Sequence, residues 1–217
     1  MDKKDIIAKR VAQEFSDGQF INLGIGIPTL AAKYVPNETK VILHAENGAI
    51  DIGALNPGEE ADPDLVNGGG EYASINPGGA IADSVMSFCI IRGGHLDATV
   101  LGAMEVDQCG NLANWSVPGK MIAGMGGAMD LAIGAKRVIV AMEHTNRDGS
   151  ARILKQCTLP LTAQRVVDLI VTNLCVFGVT KHGLVLHELA PGVSMETVEK
   201  NTEAEFIVSP QVKEMQI

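Results

Sequence analysis

Phe20-Ile21-Asn22-Leu23-Gly24-Ile25-Gly26-Ile27-Pro28-Thr29 is the stretch on which the fold turns. Phe20 to Leu23 is a short, mainly apolar run of the kind that makes a buried strand. Gly24 and Gly26 then open a tight turn. Pro28 suits the first turn of a helix, where the N–H it lacks has no intrahelical partner anyway. Strand, glycine turn and helix within ten residues is how a parallel α/β unit begins.

The same alternation continues on both sides. Upstream, Ile7, Val11 and Phe15 recur every four positions, which predicts a helix over 3–17 that Gly18 stops. Downstream, Val41 to His44 reads as a second strand ended by Glu46-Asn47-Gly48, and Asn-Gly is a strong turn signal. Residues 53–80, rich in Gly, Pro, Asn and Asp, read as a long irregular excursion with one short strand near Leu65-Val66. Further elements are a helix from Asp83, as N-cap, to Ile91, a strand from Ala98 to Met104, an irregular stretch over 107–120, a short helix opened by Gly124 to Asp130 and a strand from Arg137 to Met142. Then come a strand at 152–156, a helix over 162–172, strands near 174–179 and 183–188, a helix at 194–201 and a last strand near Phe206. No linker or repeat divides the chain, so residues 1–217 are expected to form one α/β domain with an open, mostly parallel sheet sandwiched by helices.

Composition narrows the function. The 17 basic residues are scattered among 26 acidic ones for a net charge of −9, which argues against nucleic acid and against anionic membranes as partners. Aromatic residues are only 4% of the chain, so Ala, Val, Ile, Leu and Met must fill the core, as in a parallel sheet packed by helices. Cys89, Cys109, Cys157 and Cys175 show no CxxC spacing, and reduced thiols in a cytoplasmic protein are expected. The N-terminal MDKKDIIAKRVAQEF lacks the apolar core of a signal peptide, and Met121 to Ala135 contains Asp130 and too many glycines for a membrane span.

Three constellations suit chemistry. Gly24-x-Gly26 with the following helix start fits either an anion cradle or a ligand-free turn. Glu46, at the end of a strand, fits a general base, a nucleophile, a ribose-binding acid or a merely solvated carboxylate. The ribose role arises because Glu46 falls about 20 residues after Gly26, as in a nicotinamide-binding fold, though Thr29 replaces the third glycine of that fingerprint. Gly124-x-Gly126-Gly127-Ala128-x-Asp130 offers consecutive backbone N–H groups for an oxyanion hole, or simply a turn that packs a helix closely. His44-Ala-Glu46 has no PCxxC to complete a zinc deaminase signature. His95, His144, His182 and His187 lack metal-ligand spacing, so no metal is expected. No GxSxG is present, and Trp115 reads as a loop anchor.

Asn22 to Pro28 (NLGIGIP), Glu46 to Gly48 (ENG), Phe88 to His95 (FCIIRGGH), Gly110 to Lys120 (GNLANWSVPGK) and Gly124 to Asp130 (GMGGAMD) occur in this order. Together they resemble the β subunit of family I CoA-transferases, the group that includes acetate/butyrate–acetoacetate and 3-oxoacid CoA-transferases. The resemblance runs from residue 3 to about 207. It implies an α/β sandwich whose active site lies against a separate α subunit, commonly in an α2β2 complex. It implies Glu46 as catalytic nucleophile, Gly127 and Ala128 as the oxyanion hole, and Asn22, Gly24, Gly26, Asn47 and Gly126 as CoA- or substrate-binding residues. Coenzyme A is then a substrate passed between an acyl-CoA and a short-chain carboxylate, and no permanently bound cofactor is required. The alternatives are a non-catalytic acyl-CoA-binding subunit and an NAD-dependent oxidoreductase. Ala45, Ala54 and Gly70 depart from the family pattern: many relatives have Ser, Pro and, in 3-oxoacid members, a CoA-binding Lys there. The loop at 53–63 is where acceptor differences are expected.

Overall fold

The computed structural model describes residues 1–217 except positions 56, 57, 59, 120, 121 and 123. Parts of the 53–63 loop, the last residue of the 107–120 stretch and part of the Met121–Ala135 stretch therefore lie outside the described residues. The chain runs α1 (Lys3–Ala12), β1 (Phe20–Leu23), α2 (Ile27–Leu30), a 3-10 turn (Ala31–Tyr34), β2 (Ile42–His44), β3 (Ala49–Ala54), β4 (Ala73–Ile81) and α3 (Ser84–Arg92). It continues through β5 (Ala98–Leu101), β6 (Glu105–Asp107), β7 (Leu112–Ala113), α4 (Ala128–Gly134), β8 (Val138–Ala141) and β9 (Ile153–Leu154). It ends with β10 (Leu169–Val171), β11 (Cys175–Thr180), β12 (Gly183–Leu189), α5 (Met195–Asn201) and β13 (Phe206–Glu214).

One sheet has the order β13-β12-β11-β10-β8-β5-β1-β2-β3-β4. Its centre, β2-β1-β5-β8-β10, is wholly parallel; β3 and β4 extend it antiparallel on one side, and β11 and β12 on the other, where β13 adds parallel to β12 as the border strand. The strands alternate their side chains between two apolar layers. Ile139 and Ala141 of β8 join Ile7 and Val11 of α1 on one face, while Val138 and Val140 join Ile91 of α3 and Leu131 of α4 on the other. The second face is also covered by a small sheet, β7-β6-β9, through Val106, Leu112 and Ile153. Helices thus lie on both faces, as the sequence pattern predicts.

Strand order fixes where a ligand crevice can form. β1 has β2 on one side and β5 on the other, so successive crossovers leave it in opposite directions. A crevice opens beyond the carboxyl ends of strands at such a switch point. Here the ends are Leu23-Gly24 and Leu101-Gly102.

Several elements differ from the expectation. α1 stops at Ala12, and the next two bonds, Glu14 N–H to Val11 O and Phe15 N–H to Ala12 O, tighten into three-residue turns before Gly18. The 53–80 excursion is not irregular throughout: β4 occupies its end and Val66 forms only a lone bridge to Tyr72. Pro77 inside β4 disguises the strand, and it is tolerated because β4 is an edge. No helix covers 162–172. Leu169–Val171 is a strand buried on both faces, which produces an unbroken apolar run that periodicity cannot tell from a helix. Arg165 adopts a left-handed φ of 54°, incompatible with a helix, and the Asp168 carboxylate accepts the Val138 N–H at 2.7 Å.

Far from the crevice, α1 is locked to the sheet by charge. The buried Arg10 guanidinium grips the Glu188 carboxylate of β12 through Nε at 2.6 Å and a second nitrogen at 3.0 Å, and also meets Glu14 at 2.6 Å. Bidentate pairing of this kind satisfies both desolvated partners.

Candidate active site

Glu46 is carried by the tight turn between β2 and β3. Ala45 N–H donates to Ala49 O at 2.9 Å and Gly48 N–H to Ala45 O at 3.0 Å, closing the turn. Gly48 has φ 118°, and a Cβ there would fall 2.0 Å from Ala82 O, so only glycine fits. Asn47, beside it, is exposed. Its side-chain amide donates to Val66 O at 2.8 Å, tying the turn to the 65–72 excursion. In this chain Asn47 therefore serves the turn's geometry.

The Glu46 carboxylate, half-buried, lies on the glycine run before α4. Gly127 N–H donates to Glu46 Oε1 at 3.3 Å. A Cβ on Gly126 would stand 3.3 Å from Glu46 Oε1, and one on Gly127 would stand 3.3 Å from Glu46 Cδ and 3.4 Å from the Phe88 ring. The glycines let the carboxylate approach bare backbone. Of the two expected oxyanion donors, Gly127 N–H is thus aimed at the carboxylate itself, whereas Ala128 N–H is engaged by Met125 O at 3.3 Å. Phe88 and Arg92 of α3 support this run from outside: Arg92 Nε donates to Asp130 Oδ1 at 2.6 Å, and its guanidinium lies over the Phe88 ring.

Beneath the turn is a buried polar chain. Asn22 Nδ2 donates to His44 O at 3.0 Å and lies 3.4 Å from His44 Nδ1; Thr99 donates to Asn22 Oδ1 at 3.3 Å. His44 Nε2 meets Ser87 Oγ of α3 at 3.0 Å. Because the Asn22 amide can only donate to Nδ1, the proton belongs on Nε2, directed to Ser87. Burial pushes the His44 imidazole down to about 4, so it is neutral. Asn22, expected at the ligand, is instead buried in this chain beneath Glu46. Motif reading finds in His44 only half of a zinc signature and gives Ser87 no role.

A cavity of about 290 Å³ opens at the switch point, lined by Gly24, Ile25, Glu46, Gly102, Gly124, Gly126 and their neighbours. Gly24 is pinned to β5 by its N–H to Val100 O at 2.8 Å, and Gly26, at φ 91°, turns the chain into α2. Gly24 and Gly126 therefore meet Glu46 at one cavity, whereas Gly26 is exposed and is not among its lining residues. Trp115 also lines it, anchored by its N–H to Leu161 O at 3.3 Å. Among the described residues no group of acidic, His and Cys side chains could hold a metal. No described helix is long and apolar enough to cross a membrane.

Comparison with known proteins gives one answer. The coenzyme A transferase family matches residues 4–201. The chain is 54% identical to the beta chain of the acetate CoA-transferase of Haemophilus influenzae, over all of this chain and 97% of that protein. It is 48% identical to one of the chains of a probable succinyl-CoA:3-ketoacid coenzyme A transferase of Bacillus subtilis, over 95% of each protein. Among solved structures, an acyl-CoA transferase apoenzyme from Escherichia coli O157:H7 superposes with a TM-score of 0.80 at 26% identity. That match takes in 99% of this chain but only 43% of the longer E. coli chain. Sequence likeness along nearly the whole length, together with a shared fold, means that this chain belongs to the coenzyme A transferase family.

Proposed function

We propose that this chain, acting as a single domain, is the β subunit of a CoA-transferase in which Glu46 is the nucleophile. It works with an α subunit, in an α2β2 complex in the cytoplasm, and moves CoA between a short-chain acyl-CoA and a carboxylic acid. The observation that carries this reading is the contact between Gly127 N–H and Glu46 Oε1, made at the wall of the switch-point cavity.

The chemistry proceeds by exchange at one carbon. A Glu46 oxygen attacks the acyl thioester carbonyl; the C–S bond breaks, CoA leaves as thiolate, and an acyl-glutamyl anhydride remains. The thiolate then attacks Glu46 Cδ, and the C–O bond breaks. The acyl group departs as a carboxylate carrying one former Glu46 oxygen, leaving a glutamyl-CoA thioester. The acceptor carboxylate attacks Cδ in turn and the steps run backwards. Covalent exchange of this kind splits one difficult transfer into easier ones. In each attack on Cδ the negative charge gathers on the Glu46 oxygen that Gly127 N–H already meets. A fixed donor at that position stabilises the intermediate without reorganisation. No bound cofactor enters the scheme; CoA is a substrate.

The test is peptide mass spectrometry on the αβ complex after brief incubation with acetyl-CoA. A CoA-mass adduct on the Glu46 peptide is expected, and Glu46→Gln should abolish both adduct and turnover while the complex still assembles. Acyl-CoA binding with no adduct in a folded, complete complex would replace this reading with a non-catalytic binding subunit.

A further inference from the structure

The Gly127 N–H that meets Glu46 belongs to a run with little means of holding itself in place. Gly124 and Gly126 adopt φ of 118° and 54°, Met125 is exposed, and the glycines bring no side chain to pack. The donor therefore takes its position from α4, which starts at Ala128. Leu131, 1% exposed, sets how deep α4 sits in the core, and its N–H bonds to Gly127 O at 2.9 Å. The far end of α4 is fixed by contact: Gly134 packs so close to α3 that a Cβ there would stand 2.2 Å from Ile91 O. The near end, where the donor is, has a polar tie to the same helix. Arg92 Nε donates to Asp130 Oδ1 at 2.6 Å, and the guanidinium lies 5.8 Å from the centre of the Phe88 ring, which itself stands beside Gly127. The start of α3 holds the turn that carries the nucleophile. Ala82 N–H donates to Gly48 O at 2.9 Å, and Asp83 caps the helix by accepting the Met86 N–H at 2.8 Å. Glu46 and its donor are thus held from opposite ends of one nine-residue helix.

We infer that Arg92 is a positioning residue for the transfer reaction: its bond to Asp130 sets the roll of α4 and so aims the Gly127 N–H at the Glu46 oxygen. The inference rests on the Glu46 chemistry proposed above. Arg92 acts through α4, not on the reacting atoms. The pair's surroundings suit it poorly to holding the fold together. The Arg92 side chain is 69% exposed and that of Asp130 25%, and ion pairs this open to water contribute little to stability. Reaction rate is far more sensitive to such a contact, because a displacement of about 1 Å in a catalytic group costs about 100-fold. A pair that only braces the fold and a pair that aims a donor therefore predict opposite balances of lost stability and lost rate.

Arg92→Ala, Asp130→Ala and the double variant are compared with wild type in the complete complex, with assembly checked by gel filtration. The rate at which CoA is placed on the Glu46 peptide is followed across acetyl-CoA concentrations. Each single variant should lower the maximal rate on the order of 10- to 100-fold. The half-saturating concentration should change by less than about threefold, and Tm should fall by less than about 4 °C. The double variant should be within about threefold of the slower single one, because both substitutions break the same bond. Asp130→Ala leaves Arg92 in place, so it carries the test if Arg92→Ala disturbs assembly. Wild-type maximal rates in folded variants overturn the inference, and so do losses that multiply in the double variant. A raised half-saturating concentration at an unchanged maximal rate overturns it too, and makes Arg92 a contact for acyl-CoA. A rate loss matched by a large fall in Tm returns the pair to bracing the fold. Absence of the adduct in the wild-type complex removes the Glu46 reaction and this inference with it, an outcome distinct from all the others.

Discussion

His44 Nε2 and Ser87 Oγ, 3.0 Å apart, join the strand that leads to Glu46 with the helix that supports its hydrogen-bond donor. His44 stands two residues before Glu46, and Phe88, next to Ser87, packs against Gly127. Truncating His44 to Ala leaves buried Asn22 and Ser87 groups unpaired, which should cost about 1–3 kcal/mol of stability. It should also lower kcat more than it changes KM, because Glu46 and Gly127 lose their common support. His44→Gln, which retains a donor towards Ser87, should recover most of that kcat. Denaturant titration and steady-state kinetics on the complex read both effects.

The same residue, with His144, sets an acid limit. His144 is buried between Thr172 Oγ1 at 2.9 Å and Thr202 Oγ1 at 3.0 Å, and burial pushes its imidazole, like that of His44, down to about 4. Both stay neutral in the fold while the unfolded chain protonates them below about 6.5. The unfolded state therefore binds more protons between about 4 and 6.5, and stability rises with pH across that window. Unfolding midpoints should fall as pH drops from 6.5 towards 4, and His44→Gln should flatten part of that slope.

Gly127→Ala probes the approach of the carboxylate to backbone. Gly127 has an ordinary negative φ of −84°, so alanine brings crowding against Glu46 and Phe88 without backbone strain. The expected result is a folded chain whose turnover in the complex falls on the order of 10- to 100-fold. Gly48→Ala should behave oppositely: with a main-chain oxygen 2.0 Å from the new Cβ, it should destabilise the fold by more than about 2 kcal/mol. Comparing circular-dichroism melts with activity separates the two variants.

Thiol chemistry should divide the cysteines in pairs. Cys89 and Cys109 are exposed. Cys157 is pushed up to about 12 by burial and by the nearby Asp107 and Glu105 carboxylates, and burial raises the Cys175 thiol as well. Thiolates are the reactive form, so an aromatic disulfide reagent should titrate two thiols in the folded chain and four after denaturation.

Much of this architecture is legible in the residues. β1, β2, α3 with its Asp83 cap, β8 and α5 stand where short apolar runs, caps and periodicity put them, and the crevice follows from their order. What stays hidden has physical causes. β10 is apolar at every position because both its faces are covered, so periodicity is silent there. β4 contains Pro77-Gly78-Gly79, which read as part of an irregular excursion but lie in an edge strand. The Arg10–Glu188 pair spans most of the chain, and no local signal announces it. At the site, Glu46 and the glycine run are visible as separate motifs, whereas their contact, and the His44–Ser87 link beneath it, depend on how α3 and α4 pack on the sheet.

Both outermost strands contain a proline, Pro77 in β4 and Pro210 in β13. Neither proline has an N–H to offer a ladder, and Lys213 places a charge along the β13 border as well. Growth of the large sheet is thereby disfavoured at either border. A neighbouring chain that approached sideways would find an interrupted ladder, so amyloid-like stacking and runaway polymerisation are discouraged even though ten strands lie side by side.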